Sequence, residues 1–227
     1  MKKITFHKEI LFLDVTGVLY WPRKKTIIVA DLHLEKSSFF ASQGKFLPPY
    51  DSLETLTIFK KKLDQVNIKK VILLGDVFHD NDGYDRLDKK TKNIFNAIIN
   101  KYEIIFVIGN HDKSISIPQI KTLKNYNHER ISFSHYPFYS SGKNKVEIFG
   151  HFHPKITIKV RGKNISKKCF VIDERKILLP AFGKFTGGMD VNEKVFQIFF
   201  KSNCYYYIAS ETKIYKVKKK SLINALK

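Results

Sequence analysis

Residues 70–80 read KVILLGDVFHD, an apolar run that stops on a glycine, then delivers an aspartate and, three residues later, a histidine–aspartate pair. A run this short, rich in aliphatic residues and bounded by polar ones, predicts a buried β-strand. What flanks it decides the architecture. Upstream, in YDSLETLTIFKKKLDQV (50–66), Leu53, Leu56, Phe59, Leu63 and Val66 recur at three and four residues, the stripe of an amphipathic helix. Asp51 and Glu54 have capping-box spacing at its start. Downstream, Ile94, Phe95, Ile98 and Tyr102 form a second helical stripe. Strand and helix therefore alternate through the first half, which predicts an α/β layered fold with helices covering a sheet.

Four further runs share the pattern of the first: TIIVADLH (26–33), IIFVIGNHD (104–112), ISFSHYP (131–137) and VEIFGHFHP (146–154). Each ends in Asp, Asn or His. Ligands of open α/β sheets bind beyond the carboxyl ends of the strands. Five strands would bring Asp31, His33, Asp76, Asn110, His135, His151 and His153 to one edge. Side chains alternate along a strand, so His151 and His153 point the same way and Phe152 the other. Six of the eight histidines (His33, His79, His111, His135, His151, His153) fall in these segments, and only His7 and His128 lie outside. A glycine stands directly before a candidate ligand at Gly75, Gly109 and Gly150, where a missing side chain permits close approach to an ion. The pattern predicts a metal site assembled from scattered sequence.

The second half reads differently, as short strands (KITIKVRG, KKCFVID, KILLPAFG, KVFQIFF, CYYYIAS) without comparable helices. The first 22 residues resemble a signal peptide only superficially, because Glu9 and Asp14 interrupt the apolar part; two strands are expected there. No run is long enough for a membrane span. Cys169 and Cys204 match neither a disulfide framework nor a zinc knuckle, so a reducing cytoplasm is expected. The 227 residues fit one domain (1–227) whose lysine-rich end, from about residue 213, is expected to be a solvated face or short helix. The formal charge of +20 is compatible with a polyanionic partner, although a lysine bias from coding composition would produce it too.

The ordered blocks DLH (31–33), GD (75–76), GNHD (109–112), a lone His at 135 and GHFH (150–153) resemble the signature of the calcineurin-like metallophosphoesterases. The flanking LYWPRKKTIIVADLHLEKSSFFASQGKFLPPYDSLETL and LLPAFGKFTGGMDV look like the bacterial ligase-associated DNA damage response endonucleases, over about Leu11 to Val191. The resemblance implies a four-layer α/β/β/α sandwich with two mixed β-sheets and two divalent metals, manganese above iron or zinc. By motif position, Asp31, His33, His153 and a bridging Asp76 would hold one metal, and Asp76, Asn110, His135 and His151 the other. A bridging hydroxide would attack phosphorus in line. His111 would contact the phosphate and protonate the leaving oxygen, with Asp112 orienting it. His79 and Asp80 would tune ligands, touch substrate or anchor a loop.

The same likeness implies DNA as substrate, a repair setting, and a ligase or helicase as partner. Two other readings share the fold: a phosphatase or phosphodiesterase acting on a small nucleotide or phosphoester, and a non-catalytic interaction scaffold. The intact set of candidate ligands speaks against the scaffold.

Overall fold

Ile27 and Val29 enter one apolar cluster while Ile28, between them, enters another, and the same division separates Val71 and Leu73 from Ile72 and Leu74. These strands are covered on both faces, which is why their sequences run apolar without alternation. The computed structural model describes residues 1–138, 146–160, 163–200 and 203–219.

The first sheet has seven strands in the order β1 (Lys2–Phe6), β2 (Glu9–Leu13), β3 (Leu19–Trp21), β4 (Thr26–Val29), β5 (Lys70–Leu74), β6 (Glu103–Val107) and β7 (Thr122–Leu123). The strands from β1 to β4 pair antiparallel, and those from β4 to β7 pair parallel. Helices α1 (Lys36–Ser42) and α2 (Asp51–Asp64) connect β4 to β5; α3 (Gly83–Arg86) and α4 (Lys89–Lys101) connect β5 to β6. The second sheet takes β8 (Asn125–His128), β9 (Ile131–Ser134), β10 (Val146–Phe149), β11 (Lys155–Val160), β12 (Lys163–Ile172), β13 (Lys176–Leu178), β14 (Tyr205–Ala209) and β15 (Ile214–Lys218). Its order is β15-β14-β12-β13-β10-β9-β8, with β11 paired to β12. Helix α5 (Lys194–Phe199) lies between β13 and β14 in the chain.

Three apolar clusters account for four layers. Leu56, Phe59 and Leu63 of α2 and Phe95 and Ile98 of α4 pack on one face of the first sheet. Trp21, Ile28 and Leu74 meet Phe133, Ile148, Phe170 and Ile177 between the sheets. Phe196, Phe199 and Phe200 cover Phe149, Val171 and Tyr206 on the far side of the second sheet. The architecture is the expected α/β sandwich of two mixed sheets. Phe133, fully buried between the sheets, is worth about 3–5 kcal/mol against truncation to alanine.

Four local expectations need correction. The N-terminal stretch forms three strands rather than two, because Leu19–Trp21 inserts between β2 and β4. The run KVFQIFF, read as a strand, is helix α5: Phe196, Phe199 and Phe200 follow at three and four residues and so share one helical face. Asp51 makes no capping box; its carboxylate accepts from the Ser37 backbone N–H at 3.0 Å and the Ser37 hydroxyl at 2.5 Å, tying α2 to α1. The lysine-rich end begins not as a short helix but as edge strand β15, paired with β14 over Ile214–Lys218 and exposed at Tyr215, Lys216 and Lys218 as the expected solvated face; residues 220–227 lie outside the described residues.

Candidate metal centre

Parallel pairing of β4, β5 and β6 sets their carboxyl ends at one edge, and β9 and β10, also parallel, end at the same place. The chain is stitched there by backbone hydrogen bonds. Asp31 N–H donates to Gly75 O at 3.2 Å, His33 N–H to Asp76 O at 2.9 Å, and Gly150 N–H to His135 O at 3.1 Å. Gly183 N–H donates to Asp31 O at 3.1 Å, closing a loop from the second sheet over the turn after β4.

Five of the seven candidate ligands have left-handed backbone: Asp31 (φ 55), His33 (φ 46), Asp76 (φ 47), His151 (φ 75) and His153 (φ 44). Such conformations are unfavourable for residues with a Cβ and persist where surrounding structure fixes them, often at functional sites. Here each sharp turn at a strand end aims a polar side chain at a shared centre. The glycines have a specific reason. A Cβ on Gly109 would overlap Asp76 Oδ1, and one on Gly150 would stand 2.6 Å from Asp31 Oδ2.

Two donor groups converge. In the first, His33 Nε2 lies 3.2 Å from His153 Nε2, and His153 Nε2 lies 3.5 Å from Asp31 Oδ1. In the second, His135 Nε2 lies 2.9 Å from Asn110 Oδ1, 2.9 Å from His151 Nδ1 and 3.3 Å from Asp76 Oδ2. Asp76 Oδ2 is also 3.9 Å from His33 Nε2, so one carboxylate oxygen serves both groups. Asp31, His33 and His153 form one compact His/Asp cluster and Asp76, His135 and His151 another.

This donor set fits divalent cations. Two imidazole nitrogens each about 2.0–2.1 Å from one ion stand about 3 Å apart, the separation both histidine pairs show. Asp31 Oδ1 is a buried carboxylate oxygen without a hydrogen-bond partner among the described residues. Buried polar atoms are rarely left so, and a cation would satisfy it. Oxygen and nitrogen donors without thiolate suit manganese, iron or zinc.

Electrostatics differ sharply within the cluster. Burial disfavours charge on His135, but its hydrogen bond to Asp76 and the charges of Asp31 and Asp76 raise its pKa to about 9. Burial dominates at His33, lowered to about 3, and at His151, lowered to about 4 with the neighbouring His135 adding to the effect. Burial likewise opposes the Asp76 carboxylate, yet the His135 hydrogen bond and charge and the His111 backbone N–H hold it well below the usual carboxylate range.

His111 stands at the rim, its side chain 37% exposed, with Nε2 4.0 Å from Asp76 Oδ2. Its Nδ1 lies 3.0 Å from the His79 carbonyl oxygen. Asp112, expected to orient His111, has other partners: it accepts from Gly109 N–H at 2.6 Å and from Val77 N–H at 2.7 Å. A carboxylate facing unpaired backbone donors is held by them, so Asp112 pins the loops after β5 and β6 together.

His79 stacks on His111 with centroids 4.7 Å apart, and its Nδ1 lies 3.4 Å from His33 Nδ1. Asp80 does not join the cluster: Arg86 Nη1 and Nη2 donate to its two oxygens at 2.9 and 2.6 Å. Sequence reasoning missed the rings that wall the centre. Phe39 and Phe40 pack on His79, and Tyr136 packs edge-on to His151 at 4.9 Å. An aromatic next to a histidine carries no signal of that role.

A family model described as calcineurin-like phosphoesterase matches residues 24–184. Among solved structures the chain is similar to the crystal structure of Pseudomonas putida nuclease MPE, at 25% identity and TM-score 0.75, covering 95% of this chain and 99% of that one. No curated protein is matched.

Proposed function

The chain belongs to the calcineurin-like phosphoesterase family and is a metal-dependent phosphoesterase; from that premise we propose that it hydrolyses phosphodiester bonds in DNA with two divalent cations, manganese foremost. The observation that carries the reading is Asp76 Oδ2, within 3.3 Å of His135 Nε2 and 3.9 Å of His33 Nε2, a single oxygen common to two donor groups. Asp31, His33, His153 and Asp76 would hold one cation, and Asp76, Asn110, His135 and His151 the other. When bound, such cations would supply Lewis-acid charge to a phosphoryl oxygen and lower the pKa of a bound water. The nuclease likeness and the net charge of +20 support a polyanionic substrate.

The chain's own groups do the positioning. His135 Nδ1–H donates to Leu74 O at 3.1 Å, which leaves Nε2 as the ligating nitrogen. The His111 backbone N–H donates to Asp76 Oδ1 at 2.9 Å and fixes the shared carboxylate. His111 Nδ1–H donates to His79 O, so in the protonated ring the remaining Nε2–H faces the site and is the proton given to the leaving oxygen. The proposed setting is DNA repair in the cytoplasm, where the buried free thiols Cys169 and Cys204 stay reduced. Among the described residues, no helix is long and apolar enough to cross a membrane.

The test strips the protein of metal, restores manganese, magnesium or zinc singly, and offers supercoiled plasmid, linear duplex, bis(p-nitrophenyl) phosphate and p-nitrophenyl phosphate. Nicking of plasmid with manganese is the expected result. Turnover of the small esters with intact plasmid would overturn the choice of substrate.

A further inference from the structure

A cavity of about 210 Å³ opens beside His153, lined by Lys155 of β11, Lys168 of β12 and the glycine-bounded loop from Gly183 to Gly187 that carries Lys184 and Phe185. Among the described residues, none that lines it is acidic. Lys155 Nζ donates to Thr186 O at 3.1 Å and Lys168 Nζ to Thr16 O at 2.7 Å, so each ammonium spends a donor on a neutral carbonyl. Lys184 meets Glu54 at 3.5 Å, but both side chains are about half exposed, where such a pair is weak. Three cations are therefore gathered at the flank of the centre with little to neutralise them.

Phe185 adds an independent observation. It is a bulky residue at φ 53, left-handed backbone that favours glycine, and its side chain is nevertheless 48% exposed. Its carbonyl accepts from Lys36 Nζ at 3.2 Å, which holds the turn. The strained turn presents about half of an aromatic side chain to solvent beside clustered lysines. It suits a ligand with an anion and a flat ring.

We propose that this cavity is a nucleotide subsite, in which Lys155, Lys168 and Lys184 take a phosphate neighbouring the one cleaved and Phe185 stacks on a base. The inference rests on the phosphodiesterase reading above and adds the part of the substrate that a minimal diester lacks. His153 lines the cavity and belongs to the Asp31–His33–His153 cluster, so a nucleotide held there adjoins the reacting phosphate. Burial and the nearby Lys184 and Lys155, partly offset by Asp14, lower the Lys168 pKa to about 8. A bound phosphate would relieve that crowding. Small monoesters, with a single phosphate, would gain nothing from the site.

The test compares kcat/KM on an oligonucleotide with kcat/KM on bis(p-nitrophenyl) phosphate, in the manganese-loaded protein. Lys168→Met with Lys184→Ala keeps the half-buried stem at 168 and removes two charges. The ratio is expected to fall about tenfold or more, chiefly through KM, with log KM rising less steeply with log salt. The exposed single variants Lys184→Glu and Phe185→Gly check that the loss is not misfolding, and each is expected to lower the same ratio. A wild-type ratio and salt slope in all these variants would overturn the subsite while leaving DNA cleavage intact. A wild-type chain that hydrolyses the small diester but no nucleic acid would overturn the substrate reading itself, and the subsite with it.

Discussion

His135 Nε2 stands 3.3 Å from Asp76 Oδ2, and in the cation-free protein that contact holds a proton on a buried imidazole. With a folded pKa of about 9 against 6.5 unfolded, His135 contributes stability that is complete below pH 6.5 and is lost as pH rises through 9. His33, His79 and His151 have the opposite sign. Burial lowers them to about 3, 4 and 4, so the unfolded chain binds their protons first and stability falls as pH drops below 6.5. Thermal unfolding in chelator, from pH 4 to 10, should peak near pH 6.5. A midpoint that climbs steadily to pH 10 would contradict the charge assignment.

A cation entering the Asp76–His135–His151 group must displace the proton on His135 Nε2. Metal affinity should therefore rise about tenfold per pH unit between pH 7 and 9 and level off above. Titration calorimetry in buffers of different ionisation enthalpy would count the proton released. Release of none would mean His135 is already neutral.

Gly109 faces Asp76 with no room for a methyl group. Gly109→Ala should push the Asp76 carboxylate out of position and lower turnover by about 10²-fold, the scale of a 1 Å misplacement. The fold should remain, as circular dichroism would show. Near wild-type activity would mean that the Asp76 carboxylate has slack that the close approach of Gly109 to Oδ1 denies.

Asp112 offers a sharper separation of roles. Its two oxygens accept from Gly109 N–H and Val77 N–H in a buried pocket, and burial, opposed by Gly109 N–H and helped by the Asp76 charge, raises its pKa. Asp112→Ala leaves buried donors unpaired and should cost about 3 kcal/mol in denaturant unfolding. Unchanged stability with a large loss of kcat would restore Asp112 as the partner of His111.

The strands and the polar residues at their ends were legible because burial on two faces writes continuous apolar runs and the chemistry follows each run directly. Helix α5 was not: KVFQIFF is too short for its period to separate strand from helix, and only the sheet beneath Phe196, Phe199 and Phe200 decides. Asp51 kept its helix position but lost its capping role, because Ser37, fourteen residues earlier, competes for the carboxylate. The left-handed backbone at Asp31, His33, Asp76, His151 and His153 is not predicted by residue type, since none of these positions is itself a glycine. Adjacency in GNHD places Asp112 next to His111 in the chain, while its side chain turns to backbone donors after β5 and β6.

If Asp76 serves both cation sites, its removal costs both ions, which metal counting reads directly. Equilibrium dialysis against manganese followed by elemental analysis should find two ions per chain in the wild type and none held at comparable affinity in Asp76→Ala, with that variant still folded. Two ions retained by Asp76→Ala, or one ion at saturation in the wild type, would contradict the account.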